Sequence, residues 1–114
     1  MTTIYYTPNG ESLPEDKKSQ LAHLQGTITQ AFYFVGTIGK KVEFDEEKIS
    51  KRHSGLEICI LDEEGTTSTL DMFGIDTILG ICNDAKIKPQ DISQLTGRAV
   101  TLYSSTYRCY GFSL

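Results

Sequence analysis

Leu56-Glu57-Ile58-Cys59-Ile60-Leu61-Asp62-Glu63-Glu64-Gly65 is the stretch that decides the fold. Leu56, Ile58 and Ile60 recur at every second position, the period of a strand with one apolar face. The acidic run Asp62 to Gly65 then turns the chain, because Gly65 can take the left-handed conformation that a short turn plus bulge requires. A second extended segment follows from Thr66 to Phe73, with Leu70 and Met72 continuing an apolar face. Ile75 to Lys86 reads as a short amphipathic helix. Ile78, Leu79, Ile81, Cys82 and Ala85 fall at helical spacing, Asp76 is the expected cap and Pro89 stops it.

Downstream, Gln90 to Leu95 is a short turn leading through Gly97 into a strand from Arg98 to Tyr103, and a last strand runs from Tyr107 to Leu114. Upstream, Lys40 to Phe44 is a strand entered through the turn Gly36-Thr37-Ile38-Gly39. Before it, Thr27 to Val35 alternates β-branched and aromatic residues. Ile28, Phe32 and Phe34 point one way, and Thr29, Ala31, Tyr33 and Val35 the other. Both faces are partly apolar, which suits a central strand covered on two sides, or one buried in a homodimer. Asp45 to Gly55 is polar and reads as a mobile loop with one helical turn. Ser12 with Glu15 forms a capping box opening a surface helix that carries Leu13, Leu21 and Leu24 and stops at Gly26. Ile4-Tyr5-Tyr6 is extended and ends at the turn Pro8-Asn9-Gly10. The expected fold is α+β, a single domain over 1–114. Its core is a small antiparallel β-sheet or partly open barrel of five to six strands, with one or two short helices.

Charge and cysteine usage narrow the function classes. Lys and Arg number 11 against 15 Asp and Glu, a net charge of −4. That balance disfavours non-specific binding to duplex phosphates but leaves room for a local basic groove. Cys59, Cys82 and Cys109 are too far apart for a CxxC pair and sit in apolar runs, so buried reduced thiols are expected. Met1-Thr2-Thr3-Ile4 lacks a charged start followed by an apolar stretch. No apolar run approaches the roughly 18 residues that span a bilayer. A soluble cytoplasmic protein with no membrane partner is expected.

The catalytic patterns fail one by one. Glu46-Glu47-Lys48 contains the E-x-K step of some nucleases, without a preceding strand-borne Asp to share the metal. His23 and His53 have no partner at metal-ligand spacing. No G-x-S-x-G elbow occurs, and Gly36 to Lys41 lacks the full GxxxxGK[ST] loop whose amides cradle phosphate. The expectation is a non-enzymatic binding protein with no cofactor and no metal site.

Two residue sets are candidates for contact. Asp45, Glu46, Glu47, Asp62, Glu63 and Glu64 form an acidic surface suited to imitate phosphates on a nucleic-acid-binding partner, where complementary charge speeds encounter. Alternatively, Tyr33, Tyr103 and Tyr107 with Arg98 and Arg108 suit single-stranded nucleic acid, bases stacking on rings while arginines hold the backbone. The same rings serve equally as sheet packing or as a protein-binding patch.

Leu56 to Gly65, then Leu70-Asp71-Met72-Phe73 and Leu95-Thr96-Gly97-Arg98-Ala99-Val100, follow an order of elements that resembles an oligonucleotide-binding (OB) barrel. From Leu56 onward, the strand, acidic-glycine turn, strand, short helix and the step Asp91 to Arg98 also resemble small phage accessory proteins. That resemblance implies a mobile-element protein that binds and blocks host machinery, a host protein or nucleoprotein complex, as anti-CRISPR and other anti-defence proteins do.

Overall fold

The computed structural model describes residues 5–6, 22–105 and 108–114, with side chains described over 23–103 and 111–114. Along the chain come β1 (Tyr5–Tyr6), β2 (Ala22–Val35), β3 (Lys40–Val42), α1 (Glu46–Ile49), β4 (Gly55–Asp62) and β5 (Thr67–Met72). Then follow α2 (Ile75–Ala85), a 3-10 segment (Pro89–Leu95), β6 (Ala99–Ser105) and β7 (Arg108–Ser113). Among the described residues the strands form one antiparallel sheet in the order β1-β7-β6-β2-β4-β5, with β3 paired to β2 off this path. The sheet is open and does not close into a barrel.

β2 is the spine. Its first half pairs with β6 and its last residues with β3 on one edge, while β4 pairs along the other from Gly26 to Phe34. The expected helix from Ser12 to Gln25 is corrected where the structure describes it. Ala22 to Gln25 are strand, and residues 12–21 lie outside the described residues. Gly26 does not stop a helix. It is a strand position where a Cβ would come within 2.8 Å of Ile60 Cγ2, so the backbone of β2 passes too close for a side chain. His23, expected on that helix, stands in β2 with its ring edge-on to Tyr103 at 4.7 Å.

One extra residue in β2 overturns the expected faces. The register passes from Ile28↔Ile60 to Gln30↔Cys59, leaving Thr29 unpaired as a β-bulge. Because side chains alternate with period two, this shift exchanges the faces beyond it. Ile28 therefore points inward together with Ala31 and Tyr33, while Phe32 and Phe34 line the opposite face.

The inner face carries Ile28, Tyr33, Leu56, Ile58, Ile60, Leu70 and Met72, and α2 with the 3-10 segment covers it through Ile78, Ile81, Cys82, Ala85, Ile92 and Leu95. The N-cap of α2 is Gly74 rather than Asp76, which lies in the first turn. The helix ends with Lys86 in the left-handed region, its N–H donating to Asn83 O and that of Ile87 to Cys82 O. Gln90 to Leu95, expected as a turn, is the 3-10 segment. Asp45 to Gly55 carries its expected helical turn as α1. Asp45 caps α1 by accepting from the N–H groups of Glu47 and Lys48, and Ile49 is fully buried. Cys82 is buried as expected. Cys59 is half-buried on the outer face, and the Cys109 side chain lies outside the described residues.

Tyr33 fastens the two layers. Only 1% exposed, its hydroxyl donates to Pro89 O at 2.7 Å and lies 3.9 Å from Cys82 Sγ. Burial, reinforced by the Cys82 thiol, pushes the Tyr33 hydroxyl far above its ordinary range, so it stays protonated and keeps donating. Tyr33→Phe removes the donor and strands a part-buried carbonyl. The expected loss in urea denaturation is about 1–3 kcal/mol, and an unchanged midpoint would contradict this role.

Candidate functional site

The strand alternation that builds the core also determines what the outer face shows. In β4, Leu56, Ile58 and Ile60 turn inward, so Glu57, Cys59 and Leu61 turn outward; in β5, Thr69 and Asp71 oppose Leu70 and Met72. Register then sets Phe32, Glu57 and Asp71 side by side across three strands. Lys41 of β3 reaches over the Phe32 ring, with Nζ 4.3 Å from its centroid, within cation–π range. Beyond Gly55, Phe34 and Phe73 meet edge to face at 5.8 Å. Gly55 must stay bare, because a Cβ would collide with the Met72 carbonyl oxygen. These groups and the β2–β3 turn enclose a cavity of ≈ 510 Å³.

Glu57 and Asp71 are like charges directly opposite, an unfavourable cross-strand pair. One oxygen of Asp71, Oδ1, is buried without a hydrogen-bond partner among the described residues. Burial, a hydrogen bond with Asp71 and the negative charge of Asp71 raise the Glu57 carboxyl above the ordinary glutamate value, against a smaller pull from the Lys41 ammonium. The pair tolerates this position by holding a proton more tightly than an isolated glutamate would.

The turn between β2 and β3 is the second feature. Gly36 and Gly39 both have positive φ, and the Gly39 N–H donates to Gly36 O at 3.0 Å. Between them Ile38 is 90% exposed, and Phe73 across the outer cavity is 37% exposed. The Gly36 N–H also donates to the buried Ser54 hydroxyl at 3.3 Å, which ties the hairpin to the chain entering β4. On the far side of the hairpin a cavity of ≈ 490 Å³ has Val35, Ile38 and Val42 as its apolar walls and Lys40, Lys48, Lys51 and Arg52 as its charged lining. Among the described residues no carboxylate lines it.

The residues singled out from sequence scatter. Asp62 is only 8% exposed, and its carboxylate accepts from the N–H groups of Glu64 and Thr66, so it builds the turn instead of facing a partner. Asp45 is occupied as the α1 cap. Glu46, Glu47, Glu63 and Glu64 are exposed. The register places the Asp62 turn beside Gly26, whereas α1 sends Lys48 into the cavity lined by Val35, Gly36 and Lys40 at the other end of β2, so the two acidic groups form no single patch. Tyr33 is inside the core and offers no ring face for stacking. Arg98 donates to Ala85 O at 3.0 Å, closing the C-terminus of α2. Tyr103 is half-buried, its hydroxyl 3.2 Å from Ser113 Oγ. Tyr107 and the Arg108 side chain lie outside the described residues.

Among the described residues no three His, Cys, Asp or Glu side chains gather as metal ligands, and no helix is long and apolar enough to cross a membrane. Comparison with known proteins gives no match to a family model, a curated protein or a solved structure.

A carboxyl whose folded pKa lies above its unfolded value contributes stability that is full below the unfolded value and lost as pH rises through the folded one. Glu57 therefore costs the fold stability above the ordinary glutamate range. Asp71→Asn removes the opposing charge and is expected to bring the Glu57 titration, followed by carboxyl carbon NMR shifts, down toward that range. A titration unmoved by the substitution would show that Asp71 does not perturb it.

Proposed function

We propose that this chain is a non-enzymatic binding protein that occupies a surface of a macromolecular partner, with the β2–β3 hairpin as its point of contact. The observation that carries the reading is Ile38. Turn chemistry at this position is met by Gly36 and Gly39, and among the described residues no core packing uses the Ile38 side chain, which stands 90% exposed between two concave surfaces. Burying such a side chain against a partner stabilises the complex by about 1.5–3 kcal/mol. Hydrogen bonds from Gly39 to Gly36 and from Gly36 to Ser54 hold the tip in place before binding, which lowers the ordering cost.

The phage-accessory resemblance supports a host protein or nucleoprotein complex as that partner, bound so as to block it. The phosphate-imitating version of this reading rests on the exposed Glu46, Glu47, Glu63 and Glu64, with Asp45 and Asp62 committed to local structure.

A photoreactive amino acid at position 38, in cells expressing the full chain, is expected to give a discrete adduct with a macromolecule. The same group at Thr67, exposed on β5, is expected to give none. Identical adduct patterns from the two positions would contradict a contact centred on the hairpin. Ile38→Ser is expected to leave stability within about 0.5 kcal/mol of the parent while weakening that adduct.

A further inference from the structure

The cavity beside the hairpin that Lys40, Lys48, Lys51 and Arg52 line has a chemistry the binding reading does not use. Its cations come from three separate segments, β3, α1 and the turn after α1, and converge on aliphatic walls formed by Val35, Ile38 and Val42. The frame is fixed. Asp45 caps α1, Ile49 anchors it in the core, and the Ser54 N–H donates to Lys51 O at 3.2 Å, closing the turn that presents Lys51 and Arg52. Ser54 in turn holds Gly36 of the hairpin. The chain carries a net charge of −4, so a cavity whose charged lining among the described residues is four cations is a local reversal of its overall field.

We infer that this cavity receives an acidic peptide segment of the partner, its carboxylates paired with Lys40, Lys48, Lys51 and Arg52 and an aliphatic side chain seated on Val35 and Val42. The inference rests on the binding role proposed above and names the partner's chemistry. Charge complementarity supplies the anion, and the choice between peptide and nucleic acid follows from the walls. Stacking of bases needs aromatic faces, and among the described residues no ring lines this cavity. Phe32, Phe34 and Phe73 lie around the other cavity, beside Glu57 and Asp71 and away from these four cations. Aliphatic walls inside a cationic rim match a segment that alternates Asp or Glu with Leu or Val.

The test is fluorescence anisotropy of the full chain with a labelled peptide alternating Glu, Asp and Leu, at low and physiological salt, beside labelled oligothymidylate. Saturable peptide binding that weakens with salt is expected. K51E/R52E is expected to weaken it by about tenfold or more, whereas K86E/K88E, an equal charge change at the end of α2, leaves it unaltered. K48E, on a different element, is expected to weaken it as well, which guards against misfolding of the double variant. Equal weakening by the two double variants would reduce the effect to net charge and overturn the site. Tighter binding of oligothymidylate would make nucleic acid the ligand and overturn the peptide. Absence of peptide binding would overturn it too, and a surviving adduct from position 38 would then leave the binding role standing alone.

Discussion

Everything in this fold depends on where β2 places its one surplus residue. A strand of 14 residues that is hydrogen-bonded on both edges has little freedom, and the bulge at Thr29 is where it changes phase. Before it, Ile28 meets Ile60 on the inner face; after it, Ala31 and Tyr33 do the inward packing. Without that shift, Tyr33 would lie outside and could not reach Pro89. Phe32 and Phe34 would be driven against α2. The inward position of Tyr33 depends on the bulge, and its hydroxyl adds a hydrogen bond at Pro89 to the docking that Ile92 and Leu95 give the 3-10 segment.

The same strand explains why the chemistry gathers at one end of the molecule. β2 runs out of the core directly into the hairpin with Ile38 at its tip, and β4 starts again beside it at Gly55. Side chains of opposite phase therefore emerge on opposite sides of one hairpin. The outer face collects rings and the Glu57–Asp71 pair, and the other side collects lysines and arginine with aliphatic walls. Two unlike charge environments thus lie on either side of one hydrogen-bonded turn.

Much of the second half was legible because its signals are local. Leu56, Ile58 and Ile60 against Leu70 and Met72 give two strands; Ile78, Ile81, Cys82 and Ala85 give the helix that covers them, and all of these are buried. Even Glu57 and Asp71 could have been paired from the same pattern, since each lies out of phase with its strand's apolar residues across one turn. What failed was non-local. Leu21 and Leu24 have helical spacing, but Ala22 to Gln25 find their hydrogen bonds in β6, nearly eighty residues on, and this pairing overrides the local preference. A bulge leaves no mark in composition, so uninterrupted alternation reverses the faces of Thr27 to Val35 beyond Thr29. Turn-building likewise hides in an acidic run: Asp62 has the same residue type as an exposed anion, and only its two backbone donors reveal that it is spent. The cationic cavity joins segments that no window of sequence contains.

The most direct test of this account is an NMR measurement of which rings of β2 face the helix layer. Nuclear Overhauser contacts from the Tyr33 ring to Cys82 and Pro89, with Phe32 contacting Lys41 and Glu57, are the predicted result. Contacts from the Phe32 ring to α2, with Tyr33 facing Lys41 and Glu57, would mean that β2 runs without the bulge. Both the core and the hairpin surface described above would then be wrong.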